Sequence, residues 1–502
     1  MRSLPLLLAM LVLPASAMTT TATVTPSASG NGCEWTVTGA VRVNHAMPEL
    51  EGAIGEFSDL AGVKVKVSAA LRLSSVGGGV WGTYDKWAEV TTNSRGEFTV
   101  RHTPTLSSCD GVRRFRVKVK FQSDDLELRH GNATSSLNKV KWYTIVDQDG
   151  TQTDHTVDLG TKTFDWQHAH DLGEMEARGH AEAWVVYTAL LDQLESYGSG
   201  YTFTEPLKVK FPHNSALAGD GVEASYANPF TNVVYIFRAN DCPENRLVPA
   251  EGACESHLTV NALLHEAMHI WAYQHSTGEE DLALNLLTSG STHCFEPTYI
   301  AFHEGFAEFA AERLAKILFG IDAPLPVTRD AMQDGFTCEG STNRLTSIGQ
   351  VEDHDYGWIA SLRTLIKGRL QSWTYEGSAT SRTFRSSTNA ITEHGELTVV
   401  GACDSPQIVF KDVLTTFLAH PADGYPAPLA KGDMNLEDFV DRLTDIHDLG
   451  NDTRDALLTL MDPAATEQPR DLFCEGNTGP RVLQQPRVRD ATERLGRRGR
   501  GN

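Results

Sequence analysis

The sequence predicts a multidomain protein in which an antiparallel β-sandwich is followed by an α-rich α+β domain. Its 502 residues are 40% hydrophobic and 22% charged, which is the composition of a globular chain with more than one core. Between Cys33 and Phe164 apolar and polar residues alternate, as in strands with one buried face. After Phe164 the apolar residues recur at helical spacing, so we place the boundary near residue 165.

Residues 1–17 have the features of a signal peptide. Arg2 precedes an apolar stretch from Leu4 to Leu13, and Ala15-Ser16-Ala17 forms a small-residue cleavage site. The apolar stretch is too short to span a bilayer, and no later run comes near the ~18 apolar residues of a membrane helix. We therefore expect a mature chain that begins near Met18, is secreted or periplasmic, and has no membrane span.

The predicted β-sandwich occupies residues 18–165. Val63–Val67 and Phe115–Phe121 alternate strictly, and turn signals such as Asn93–Gly96 and Asp149–Gly150 separate such runs. The pattern from Gly62 to Leu128 resembles the transthyretin-like sandwiches that accompany secreted peptidases. That resemblance implies an accessory module. The segment shows no cluster of catalytic residue types, which agrees with such a role.

The α-rich domain is expected over residues 166–477, followed by a basic tail at 478–502. Apolar spacing and capping residues predict a set of helices: Leu172–Tyr197, Val260–Gln274, Tyr299–Phe319, Tyr356–Leu370, Ile408–Leu418, and one from Asn435 to near Gly450. Asn232–Phe237 is predicted to be a strand. The tail is rich in arginine and poor in apolar residues, and we expect it to be disordered.

Eight cysteines follow the signal peptide. An even number in an exported chain favours disulfide bonds. Spacing does not determine the pairing, and a sequential arrangement is our hypothesis: 33–109, 242–254, 294–338 and 403–474. Because the chain has no C-x-x-C pair, a thiolate zinc site is not expected.

The segment His265-Glu266-Ala267-Met268-His269 places two imidazoles four residues apart. On a helix such residues share one face, so both can bind one metal ion. Zn²⁺ with three protein ligands keeps a position for a water molecule, whose pKa it lowers to about 7. Glu266, beside His265, is suited to accept a proton from that water as a general base.

A second motif, Phe302-His303-Glu304-Gly305-Phe306-Ala307-Glu308-Phe309, follows His269 at the next predicted helix. With the first motif it resembles the gluzincin zinc metallopeptidases, the clan of thermolysin and aminopeptidase N. The resemblance implies a zincin fold, Zn²⁺ as cofactor, Glu304 as third ligand, and Glu308 as the acid that orients a histidine ligand. The family's Asn before the ligand is replaced by His303, which leaves the ligand itself in place.

His275 is an alternative third ligand. It lies six residues after His269, the spacing of the metzincin pattern. That pattern has Gly where this chain has Ala272, because the chain must leave the helix sharply there and Ala is strained in such conformations. We therefore favour Glu304 over His275.

Two further positions follow from the gluzincin resemblance. Tyr356 resembles the tyrosine that stabilises the oxyanion in the aminopeptidase N branch, and His354 is the alternative from the thermolysin branch. Both could also be ordinary polar residues at the start of a helix. The strand Asn232–Phe237 is either the edge strand along which a peptide substrate lies in this clan or a plain core strand.

Together these features predict a secreted zinc metallopeptidase whose partner is a peptide or protein substrate. The formal charge of −22 argues against nucleic acid as a partner, since phosphate binding needs a basic surface. Two alternatives stay open. One is a non-catalytic binding protein on a zincin scaffold, which the intact Glu266 disfavours. The other is a zinc hydrolase of a non-peptide ester or amide, because the motifs specify activated water and not the acyl group.

Overall fold

The computed structural model shows a mixed α+β protein with several β-sheets, in agreement with the predicted mixture of strands and helices. The residues that it describes are 34–73, 80–103, 113–131, 140–150, 155–165, 172–213, 225–238, 256–275, 298–321, 336–338, 341–343, 358–359, 361–362, 374–376, 383–385, 389–392, 397–399, 410–418, 436–446, 454–455 and 458. The signal peptide, the basic tail, Tyr356 and His354 lie outside them. So do seven cysteines, and only the backbone of Cys338 is described, so the disulfide pairing stays a prediction.

Strands dominate the first part of the described chain. In order they are β1 (Trp35–Asn44), helix α1 (Pro48–Ile54), β2 (Phe57–Asp59), β3 (Lys64–Leu73), β4 (Val80–Trp81), β5 (Asp85–Thr91), β6 (Glu97–His102), β7 (Arg113–Lys120), β8 (Leu126–His130), β9 (Tyr143–Gly150) and β10 (Thr156–Phe164). The predicted turn at Asp149–Gly150 is instead the end of β9, which extends to Gly150.

All of these strands except β8 form two sheets that face each other. In one, β1 pairs with β2, β6 and β10. In the other, β3 pairs with β4, β5 and β7, and β7 pairs with β9. Trp35 of the first sheet and Phe115 of the second are fully buried, with ring centroids 5.8 Å apart. The alternation seen in the sequence accounts for this packing, because every second side chain of the long strands β3 and β7 points into the shared core.

The predicted antiparallel arrangement is wrong for one strand pair. β1 and β10 run parallel, with Thr36 opposite Thr156 and Val43 opposite Phe164. Alternation identifies strands, but it carries no information on which strands pair or in which direction. The first and last strands of this segment meet side by side after a long connection through the other sheet, so the sheet that contains β1 is mixed.

A third sheet combines both parts of the chain. Its order is β12 (Tyr226–Asn228), β13 (Val233–Phe237), β11 (Leu207–His213) and β8, the strand from before residue 165. β11 lies parallel to both β8 and β13. Because β13 lies between β12 and β11, the predicted strand at Asn232–Phe237 is internal, and the hypothesis that it is a substrate-binding edge strand is wrong. The edge strands of this sheet are β12 and β8.

Helices follow at five of the six predicted places, and most of the sixth, Tyr356–Leu370, lies outside the described residues. They are α2 (Leu172–Tyr197), α3 (Val260–His275), α4 (Thr298–Phe319), α5 (Phe410–Leu418) and α6 (Leu436–Ile446). Their bounds agree with the predicted ones within a few residues, since each has a long apolar period. Within the described ranges no helix is long and apolar enough to cross a membrane. The remaining strands are short: β14 (Phe336–Cys338), β15 (Ser341–Asn343), β16 (Thr374–Glu376), β17 (Thr383–Arg385), β18 (Asn389–Thr392) and β19 (Leu397–Val399).

Helix α2 connects the first strands with the later helices. Every side chain from Met175 to Thr188 is buried, charged ones included. The Glu182 carboxylate accepts hydrogen bonds from His45 Nδ1, at 2.8 Å, and from the backbone N–H of Ala46. Six residues earlier, Glu176 contacts His130 at 2.6 Å and Lys141 at 3.2 Å. Buried charges need such partners, so α2 depends on residues before position 165.

Candidate metal centre

Helix α3 presents the two histidines of the first motif. Thr259 caps the helix, since its Oγ1 accepts the backbone N–H of Ala262 at 3.1 Å. The apolar side chains that hold the helix in the core are Leu263, Leu264, Ala267, Met268, Ile270 and Trp271, all fully buried. His265 and His269 lie one turn apart on a different face, and their ring centroids are 4.6 Å apart.

Helix α4 brings the second motif against α3. Phe302, Phe306 and Phe309 are buried, and Phe306 stacks on Trp271 of α3 with ring centroids 6.1 Å apart. Phe306 also contacts Phe417 of α5 at 4.2 Å. This aromatic packing fixes the crossing of the two helices. It places Glu304, two residues before Phe306, opposite the histidines.

Three donor atoms converge where the helices cross. Glu304 Oε2 lies 3.4 Å from His265 Nε2 and 3.4 Å from His269 Nε2, and the two nitrogens are 2.9 Å apart. His265, His269 and Glu304 form the one His/His/Glu group among the described residues that could hold a metal ion. Tetrahedral ligands at 2.0–2.1 Å from Zn²⁺ stand about 3.3 Å from one another, so the triangle has the size that such an ion requires.

Glu308 orients His265 from behind. His265 Nδ1 donates to Glu308 Oε2 at 3.1 Å, which leaves Nε2 directed at Glu304. A carboxylate on the far nitrogen of a metal-binding histidine fixes the ring and increases its basicity. Among the described residues no corresponding acceptor reaches Nδ1 of His269.

Asn261 is a residue of the site that the sequence analysis missed. Its side-chain amide donates to both carboxylate oxygens of Glu308, each at 3.1 Å. Asn261 lies one helical turn before His265, so Asn261, His265 and His269 form a row along α3. The N-x-x-x-H-E-x-x-H spacing could have indicated that Asn261 lies on the same face as the histidines. Its partner, Glu308, is on α4 and is evident only from the crossing of the two helices.

The charges of the group compensate one another. Burial by itself raises the pKa of Glu304, but the positive charge of His269 and the hydrogen bond from His265 hold that pKa well below its usual range. Burial by itself lowers the pKa of His265, yet Glu304 and Glu308 raise it well above its ordinary value. Carboxylate and imidazole together are the donor set that suits a divalent cation of the zinc type.

Glu266 lies beside this group without belonging to it. Its side chain is buried, and burial raises its pKa against the opposing charges of His265 and His269. Tyr187 of α2 is close enough that the negative charge of Glu266 adds to the burial that raises the tyrosine pKa. A carboxylate with a raised pKa is suited to the role of a general base, which must take up a proton and release it again.

The other predicted residues have different positions. His275 is not among the three converging residues. Its ring packs on Trp271 with centroids 4.5 Å apart, and its Nε2 donates to the carbonyl oxygen of Thr202 at 3.0 Å. His303 is buried beside Glu304, and burial with the nearby His269 lowers its pKa to about 4.

Comparison with known proteins adds no relative that bears on this site. No family profile and no curated protein matches the chain. Among solved structures, part of a 9R-lipoxygenase from Cyanothece aligns with 15% identity and a TM-score of 0.17, over 31% of this chain and 23% of that chain. A similarity at this level indicates neither a shared fold nor a shared function.

Proposed function

We propose that this protein is a zinc-dependent peptidase of the gluzincin type, and that export carries it out of the cytoplasm. The observation that carries the proposal is the convergence of His265, His269 and Glu304 from two helices on one point. Two histidines at i and i+4 and a glutamate from the next helix form a ligand set with room for further coordination. The signal-peptide pattern of residues 1–17 supports export.

Zn²⁺ bound by these three residues would polarise a carbonyl and make a water molecule acidic enough to react near neutral pH. The chain's own groups have separate tasks. Glu266 takes the proton of the attacking water and delivers it to the leaving amine, which requires a carboxylate near the ligands but outside the ligand set. Glu308 and Asn261 hold His265 in the tautomer that directs Nε2 at the site.

The family resemblance assigns the stabilisation of the oxyanion to Tyr356, and His354 is the alternative. A phenol near the polarised carbonyl would donate a hydrogen bond that strengthens as negative charge develops on the oxygen. Glu304 resembles the family's third ligand, and Glu308 on the same helix resembles its orienting acid. A peptide or protein substrate is assigned from this family resemblance, because the ligands themselves specify activated water and not the acyl group.

The test is hydrolysis of a mixed peptide library by the mature chain in three states: loaded with zinc, treated with chelator, and loaded again. We expect new peptide termini, found by mass spectrometry, in the first and third states only. A parallel series of simple esters and non-peptide amides separates peptidase activity from other hydrolysis. An intact library together with bound zinc would contradict the proposal, and cleavage of the esters alone would assign a different substrate class.

A further inference from the structure

The outer face of the sheet formed by β5, β3, β7 and β9 carries a compact group of lysines. Val65 and Val67 of β3, with Val117 and Val119 of β7, point into the core. The intervening residues point to the opposite side, and four of these are the partly exposed Lys64, Lys66, Lys118 and Lys120. We call these four residues the lysine face.

The strand register places the lysines directly opposite one another. Lys64 pairs with Lys120, and Lys66 pairs with Lys118. Side chains of such pairs begin about 5 Å apart, and like charges at these positions destabilise a sheet. Two adjacent pairs of this kind occur in a chain whose formal charge is −22, so a general excess of cations does not explain them.

The carboxylates that border the lysine face form their ion pairs with other residues, although Glu89 lies directly opposite Lys66 in the register of β3 and β5. Glu89 pairs with Lys86 at 2.9 Å, and Asp147 pairs with Arg114 at 2.7 Å and with Arg116 at 2.6 Å. The hydrogen bond from Lys86, together with the charges of Lys120 and Lys64, lowers the pKa of Glu89. Within the described ranges, no carboxylate forms an ion pair with the four lysines.

An indole ring lies among the ammonium groups. The Nζ atoms of Lys66 and Lys120 are 5.4 and 5.7 Å from the ring centroid of Trp142, which is half-buried. Both ammonium groups lie over the indole ring in cation–π contacts, so Trp142 and the lysines form one cluster on the sheet. A sugar ring that carries carboxylate or sulfate groups matches this cluster, because its anionic groups can meet the lysines while its C–H groups contact the exposed part of the indole.

We propose that the lysine face and Trp142 form a binding surface for a linear acidic polysaccharide. The paired lysines lie about 5 Å apart across the strands and about 7 Å apart along them, which suits an extended chain with repeated negative charges. This surface lies on strands that contribute no residue to the metal centre, so the proposal is independent of the peptidase assignment. It gives the β-rich part of the chain a role in attaching the protein to an anionic extracellular polymer.

The test measures binding of the full mature chain to immobilised polygalacturonate and dextran sulfate, with neutral dextran and single-stranded DNA as comparisons. We expect binding to both acidic polysaccharides at low salt, loss of binding at high salt, and no binding to neutral dextran. The double variant Lys64→Gln/Lys120→Gln should bind about ten-fold or more weakly, since each lysine near an anionic surface contributes about a five-fold gain. Lys162→Gln/Lys208→Gln, which removes the same charge elsewhere, should bind like the wild type.

A second measurement distinguishes a binding role from a structural one. Repulsion between the paired lysines is offset by the contact of Lys120 with Trp142 and by the attraction of both lysines to Glu89. The Lys64→Gln/Lys120→Gln variant should therefore unfold at about the wild-type temperature while it binds the polymer less well. If both double variants lost the same binding affinity for the polysaccharides, net charge alone would explain the loss, and the proposal would be overturned. Absence of binding at low salt, or tighter binding to DNA than to either polysaccharide, would overturn it as well.

Discussion

Loss of the Glu266 carboxylate should slow catalysis without loss of the metal, unlike loss of the ligands His265 and His269. Glu266 lies outside the triangle of donor atoms, so Glu266→Gln should leave the metal affinity intact. Without its carboxylate the attacking water has no base, and we expect kcat/KM for peptide hydrolysis to fall by at least about 10². Zinc content and rates measured on the same preparation check this. A variant with bound zinc and the wild-type rate would remove Glu266 from the mechanism.

Loss of the Asn261 side chain should weaken metal binding and leave the fold intact. Asn261→Ala deprives Glu308 of two hydrogen bonds, which lets the carboxylate turn away from His265. We expect metal affinity to weaken by about 10–100-fold, as for other residues behind a ligand. Competition with a chelator measures the affinity. Gln274→Ala is the matched control, because Gln274 lies on the same helix and donates to Asn232 at 2.9 Å, away from the metal. Equal effects of the two variants would contradict the role of Asn261.

The sequence predicted those residues of the site that lie close together in the chain. His265, Glu266 and His269 lie within one helical turn, so periodicity alone places them on one helix. The resemblance to a family with a second motif supplied Glu304 and Glu308. Asn261 was missed because its partner is on another helix, and nothing in the local pattern of α3 indicates which side chains of α4 it meets.

At the scale of elements, α2 and β11 are in close contact through a glycine. A Cβ atom on Gly179 would overlap the Phe211 ring, which packs against the helix backbone. Gly179→Ala should therefore destabilise the protein by about 1–3 kcal/mol through overpacking, although Ala is the better helix former. Gly52→Ala in α1 is the control, since a Cβ there meets nothing within 4 Å and should stabilise the protein by about 0.5–1 kcal/mol. Chemical denaturation measures the free energy of unfolding of both variants. A stabilising effect of Gly179→Ala would contradict the close contact between Gly179 and Phe211.

Elements were predicted better than their pairing. Helices with long apolar periods, such as α2 and α4, have the predicted bounds because each period is a property of consecutive residues. The parallel pairing of β1 with β10 and the internal position of β13 depend on strands far apart in sequence. Alternation is the same in parallel and antiparallel strands when one face is buried, so it could not give the direction of β10. The continuous apolar run of β13 agrees with its internal position, but the run itself does not identify the strands on either side.

At the scale of the whole molecule, the β-rich part and the helical part share a sheet and buried charges. β8 pairs with β11, and the carboxylates of α2 have their partners on residues before position 165. We expect a chain that begins at residue 166 to lose cooperative unfolding and zinc binding, because Glu176 and Glu182 would lose those partners. A chain that ends at residue 477 should keep both, since the removed tail has no apolar pattern. A stable, zinc-binding chain from residue 166 would contradict this dependence.

The identity of the third ligand tests the account most directly. Metal analysis of purified Glu304→Ala and His275→Ala after equilibration with zinc and removal of excess metal compares the two candidates in one experiment. Glu304 faces both histidines at 3.4 Å, whereas His275 is held by Thr202. We predict that His275→Ala keeps one zinc per chain and that Glu304→Ala loses it while its thermal unfolding stays cooperative. Full zinc content in Glu304→Ala with loss in His275→Ala would contradict the proposed gluzincin site.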